Sequence, residues 1–187
     1  MIKGIICIES EFKITTSNNR LSLNTEPLMR FIHEMYSIPA IYRRVATRSE
    51  LEFYLKEFRK KKYVNNSDVL YFSFHGETRA IQLEGEKSLL SLNELQEIGG
   101  KVFEDRVIHF SSCRTMLGNE EILKEFKKTS KAKSVSGYTR SVDPALSAIH
   151  DVALMDAFIN KDQLPAVFRR TSQLYGNLEE KLGFRYF

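Results

Sequence analysis

Apolar runs alternating with amphipathic stretches predict an α/β protein: a three-layer αβα sandwich with a mainly parallel sheet. Two observations carry this. Short runs rich in β-branched and aromatic residues recur at residues 5–8, 40–45, 68–74, 106–110 and 134–137, and segments of helical spacing separate them. The third run, Val69-Leu-Tyr-Phe-Ser-Phe74, is apolar at nearly every position. Such runs belong to strands covered on both faces. At 187 residues and 42% hydrophobic content, the chain suits one domain, residues 1–187, with a packed core rather than disorder.

The elements follow in order. Residues 5–8 read as a first buried strand. Residues 26–37 carry Leu28, Met29, Ile32, Met35 and Tyr36 at helical spacing, with Pro27 in the first turn and Asn24 or Thr25 as cap. After the strand at 40–45, Thr47 or Ser49 opens a helix bearing Leu51, Phe53, Tyr54, Leu55 and Phe58. It runs into Lys60, Lys61 and Lys62, where positive charge suits a helix C-terminus. The strand at 68–74 leads to a hairpin of residues 80–83 and 87–90 around Gly85. Ser91 and Glu94 form a capping box, and Gly99-Gly100 stops that helix. Then come a strand at 106–110, a helix at 120–129 and a strand at 134–137. Asp143-Pro144 caps a long helix to about residue 160, with Leu146, Ile149, Val152, Ala153, Leu154, Ala157 and Phe158 as its apolar side. The remainder, 162–187, begins as helix.

Composition removes several functions. Two cysteines make no disulfide framework and indicate a reducing compartment. The N-terminal apolar run stops at Glu9 without a basic leader, so it reads as a strand of a cytoplasmic protein, not a signal peptide. No run reaches the roughly 20 apolar residues of a membrane helix. Four histidines and two cysteines lie scattered, without Cys-x-x-Cys or His-Glu-x-x-His, so neither a metal site nor any other cofactor is expected. A phosphate loop and a Gly-x-Ser-x-Gly elbow are absent. The net charge, 28 − 24 = +4, reads as solubility. The basic stretches 60–62 and 124–133 lack aromatic interleaving, so nucleic acid is disfavoured as a partner.

In open parallel sheets, ligands collect beyond the carboxyl ends of the strands. The third strand ends in Phe74-His75-Gly76. The fourth ends in Ser111-Ser112-Cys113-Arg114. Neighbouring strands stand about 4.8 Å apart, so a histidine and a cysteine leaving one edge can meet. A Cys–His pair supplies thiol catalysis with a base and a proton donor for the leaving amine. Arg114 adds positive charge of the kind that favours a thiolate. Gly76 and Cys113 offer backbone N–H groups for an oxyanion; equally, Gly76 simply turns the chain. Cys7, among isoleucines, reads as core. His109 precedes Cys113 by four residues, about 13 Å along an extended chain, and reads as a hydrogen-bonded core histidine. His33 and His150 read as helix-face residues.

His75-Gly76 after an apolar strand, and Val107-Ile-His-Phe-Ser-Ser-Cys113 closing the next, resemble the caspase-like cysteine peptidases. Residues 134–142 resemble the strand of that clan that lines the primary specificity pocket, and a long helix follows. The resemblance covers roughly residues 69–158. It implies a caspase–hemoglobinase-type fold, Cys113 as nucleophile, His75 as general acid/base, and the Gly76 and Cys113 amides as oxyanion hole. It brings Ser111, Ser136, Tyr138, Arg140 and Asp143 to the substrate pocket, although Asp143 also reads as the helix cap and Arg140 as a surface charge. It implies a protein or peptide substrate, a partner effector or activator chain or a second copy, and a setting in defence or cell death. It sets a maturation linker near 124–133. The caspase signature around the cysteine is missing, and Ser111 stands where metacaspases carry aspartate, so no cleavage preference transfers. The alternative class is an inactive regulatory or binding module on the same fold.

Overall fold

The structure, a computed structural model, describes residues 2–10 and 24–187. Alternation along the strands decides the layers, because successive side chains point to opposite faces. In β1 (Ile5–Glu9), Ile6 and Ile8 join one apolar cluster, while Ile5 and Cys7 join another. The same split divides Leu70 and Phe72 from Val69 and Tyr71 in β3 (Val69–Ser73).

The first cluster is closed by Leu51 and Leu55 of α2 (Arg48–Glu57), Leu95 of α4 (Leu92–Gly99) and Phe126 of α5 (Glu120–Ser130). The second is closed by Ile32 of α1 (Glu26–Tyr36), Leu154 of α6 (Pro144–Asn160) and Phe168 of α7 (Leu164–Leu182). Helices thus cover both faces of a mixed α/β sandwich.

The main sheet has the order β2-β1-β3-β7-β8-β9. Here β2 is Ala40–Arg44, β7 is Val107–Phe110, β8 is Ser134–Tyr138 and β9 is Phe184–Tyr186. All pairings from β2 to β8 are parallel, and β9 adds to β8 antiparallel. The carboxyl ends of β1, β3, β7 and β8 therefore share one edge.

Local chemistry agrees with the expected boundaries in most places. Thr47 and Glu50 form the box that opens α2, Ser91 and Glu94 the box that opens α4, and Asp143 accepts from the Ala145 and Leu146 N–H groups to open α6. At α1 the Asn24 side chain takes the Glu26 N–H at 2.8 Å, while the Thr25 hydroxyl turns away to Glu9. The triple lysine lies beyond α2 and enters a separate short helix, α3 (Lys61–Val64).

Three regions depart from expectation. The hairpin is part of a second, three-stranded sheet, β4 (His75–Glu77), β5 (Ala80–Gln82) and β6 (Leu90–Ser91), because the chain after β3 turns back on itself at once. Ile149 is exposed, and α6 instead buries His150 and Asp151, because this helix is apolar on every side and its period does not single out one face. The C-terminal stretch ends in a strand, since β9 caps the open edge of β8.

Candidate functional site

The strands that lead to the two candidate catalytic residues are neighbours. β3 and β7 pair in parallel with Phe72 opposite Phe110, an offset of 110 − 72 = 38. His75 and Cys113 are separated by the same 113 − 75 = 38 residues. The ladder persists one step further, where the Ser111 N–H donates to the Phe72 carbonyl at 2.9 Å. The Ser112 hydroxyl then accepts the Phe74 N–H at 3.1 Å. Beyond that point the chains diverge: His75 enters β4 opposite Gln82, while Cys113 enters a turn.

Backbone contact continues across the divergence. A Cβ built on Gly76 would lie 2.0 Å from the Cys113 carbonyl oxygen and 2.5 Å from Thr115 Oγ1. Only glycine permits this approach. The Gly76 requirement is thus explained by close packing of the two strand ends, a reason sequence reading did not weigh.

Cys113 is half-buried, and its Sγ accepts the Val142 N–H at 3.3 Å. Partial burial of the His75 ring lowers its pKa from the ordinary 6.5, so the neutral imidazole dominates at pH 7. Arg114 sits at positive φ and pairs with Glu77 at 3.2 Å. Its charge is therefore shared with a carboxylate. Cys7 is fully buried in β1, and desolvation, followed by the charges of Glu9 and Asp151, pushes its thiol well above the ordinary range.

A cavity of about 150 Å³ opens beside Cys113. Leu28, Tyr71, Phe74, Val142 and Ala148 give it apolar walls, and Ser111 and Asp151 lie on one side. Of the expected substrate-binding residues, Ser111 lines this cavity. Ser136 and Tyr138 are fully buried behind it, bonded to His109 and Asp151. Arg140 and Asp143 flank Val142 on the exposed approach, and Asp143 caps α6.

Behind the cavity lies a sealed network. Asp151 Oδ1 stands 2.7 Å from His109 Nε2 and 2.5 Å from the Tyr138 hydroxyl. Its Oδ2 accepts from Tyr71 at 2.6 Å and Ser111 at 2.7 Å. A carboxylate only accepts, so His109 carries its proton on Nε2. Burial alone would raise the Asp151 carboxyl. The neighbouring His109 ring and the bonds from His109, Tyr138 and Tyr71 outweigh it and hold the group at about 2. Ser136 Oγ lies 3.0 Å from His109 Nδ1. Ser136, His109 and Asp151 thus form a Ser–His–Asp relay, but each is sealed from solvent. His150, expected on a helix face, is also buried, between Tyr138 at 2.9 Å and Glu179 at 3.4 Å.

Sequence reading missed Asp151, Tyr71 and Val142 as site residues. The available signal was the His150-Asp151 pair amid apolar residues of a long helix, since such charges are buried only with partners. The basic stretch at 124–133 is largely helix α5, with Asn119 as its cap, rather than a linker.

No helix among the described residues is long and apolar enough to cross a membrane. The model of a family described as a family of unknown function (DUF6642) matches residues 3–187. No curated protein matches the chain.

Proposed function

The chain belongs to that family of unknown function, and for it we propose a caspase-like cysteine endopeptidase, with Cys113 as nucleophile and His75 as general acid/base. The reading rests above all on one observation: β3 and β7 are parallel neighbours with an offset equal to the His75–Cys113 spacing, and Gly76 packs on the Cys113 backbone. The cavity beside Cys113 and the strand order through β8 into α6 support it further.

In this mechanism neutral His75 takes the Cys113 proton as sulfur attacks the peptide carbonyl carbon. The oxyanion is held by the backbone N–H groups of Gly76 and Cys113. Imidazolium then donates its proton to the leaving amine, and the C–N bond breaks. Water hydrolyses the thioester with His75 again as base, restoring the thiol. The Val142 N–H aimed at Sγ is a donor for the sulfur before attack. The substrate is a protein or peptide, and the setting that fits the resemblance is a defence or cell-death pathway in which a partner chain is cut.

The test is cleavage of a peptide library by the purified chain and by Cys113→Ala and His75→Ala. Loss of cleavage in both supports the reading. Undiminished proteolysis by Cys113→Ala overturns it, and failure of the parent chain to cut any peptide leaves the regulatory module as the reading of this fold.

A further inference from the structure

Every hydroxyl lining the cavity beside Cys113 among the described residues gives its proton to a partner inside the protein. Tyr71 and Ser111 donate to Asp151 Oδ2 at 2.6 and 2.7 Å. Ser147 donates to the Pro144 carbonyl at 3.1 Å, and Ser112 to the Phe72 carbonyl at 3.5 Å. Thr25 and Ser73 use theirs on each other and on the buried Glu9 carboxylate, at 2.7 to 3.4 Å. A hydroxyl has one proton to give and two lone pairs to offer. The hydroxyls therefore turn acceptors, not donors, toward any occupant. Asn24, whose Oδ1 accepts the Glu26 N–H, is at the exposed rim.

Charge agrees with this count. Asp151 is an anion at neutral pH behind Ser111, and no lysine, arginine or histidine is among the described residues lining the cavity. A carboxylate occupant, which only accepts, finds no lining hydroxyl to donate to it and meets the repulsion of Asp151. A carboxamide finds no lining hydroxyl to donate to its carbonyl oxygen. Lysine and arginine side chains carry donors only, and their apolar stems suit walls such as Leu28, Tyr71 and Val142. The size fits too, since a cavity of about 150 Å³ is one that can hold benzene.

We propose that this pocket selects a lysine or arginine side chain on the residue before the cleaved bond, with Ser111 and Asp151 as its specificity-determining pair. The proposal rests on the peptidase reading for the meaning of the bond, but the pocket's preference is measurable without catalysis. Ser111 touches the occupant. Asp151 acts through Ser111, because its own four hydrogen bonds are already made.

The test is protection of the Cys113 thiol in the full chain. Alkylation by iodoacetamide is followed by mass spectrometry at fixed pH with agmatine, n-butylamine, pentanoate or pentanamide. Agmatine and n-butylamine should slow Cys113 alkylation about tenfold near saturation by mass action, while pentanoate and pentanamide leave it unchanged. Equal protection by all four, or none by the two cations, overturns the proposal. Asp151→Asn should abolish protection. Because Asp151 anchors a buried hub, Ala148→Lys is the second variant: it adds a cation of the chain's own to the pocket wall, and protection that survives it counts against the assignment. Peptides differing only before the cleaved bond should be cut about 100-fold faster with lysine or arginine than with glutamine or aspartate. Protection by the cations with no peptide cut removes the peptidase reading and keeps the pocket. Cleavage after aspartate or glutamine at the lysine rate removes the pocket assignment and keeps the peptidase.

Discussion

Two histidines, His109 within β7 and His75 beyond the end of β3, sit in opposite settings. Ser136, His109 and Asp151 have the bonding pattern of a catalytic relay, with contacts of 3.0 and 2.7 Å, yet all are sealed from solvent. His75 and Cys113 stand beyond the carboxyl ends of β3 and β7, one exposed and one half-buried; Cys113 lines the cavity beside α6, whereas His75 lines a separate hollow with Gln82 and Leu83. The first is ordered but unreachable. The second is reachable, and the strands that lead to its two residues are in register. The difference teaches that hydrogen-bond geometry alone does not identify an active site: a nucleophile must also be open to substrate. The inner relay is a structural hub that fixes β3, β7, β8 and α6 together.

The largest expected effect tests the outer pair. Cys113→Ala should lower kcat/KM for peptide cleavage by about 10³-fold or more, and His75→Ala by about 10²–10⁴-fold. Ser136→Ala should leave kcat/KM within about threefold and lower stability by about 1 kcal/mol. If Ser136→Ala abolished cleavage, the assignment of the two constellations would be reversed.

Next comes the hub. Asp151→Ala should destabilise the protein by about 3–5 kcal/mol in urea unfolding, since it leaves three buried donors without their acceptor. A loss near zero would mean that solvent or repacking satisfies Tyr71, Tyr138 and His109.

Reactivity separates the two thiols. Iodoacetamide should modify Cys113 about tenfold faster than Cys7 or more, because burial and nearby carboxylates keep the Cys7 thiol protonated. Equal rates measured by peptide mapping would show that β1 opens readily.

The smallest effects are in pH. The lowered His75 pKa puts the acid limb of kcat/KM below pH 6.5, because activity needs the neutral ring and falls as pH drops through that value. Asp151 is depressed from 3.8 to about 2. Its contribution, roughly 2 kcal/mol, is present above about pH 4 and is lost as pH falls toward 2. Urea midpoints measured across that window check the sign.

Much of the fold was legible because local chemistry reports it. The apolar run at 69–74, the capping boxes at Thr47 and Ser91 and the Asp143-Pro144 start each depend on neighbours in sequence. The C-terminal strand was not legible, since Phe184 and Tyr186 form a strand only against the edge of β8. The pocket was legible in part. Ser111 was found by its distance from Cys113, whereas Val142 and Tyr71 reach the same cavity from segments that sequence distance does not connect.

By itself the sequence determined an α/β chain with parallel strands, a buried Cys7 and a polar strand end at Cys113, all consequences of side-chain polarity along short windows. Only the tertiary structure decided that β3 and β7 are neighbours, that Gly76 must lack a side chain, and that Asp151 rather than Ile149 faces inward on α6. The physical reason is the same in each case. A backbone approach, or a carboxylate kept charged in the interior, depends on atoms brought together from distant parts of the chain, and no local pattern encodes them.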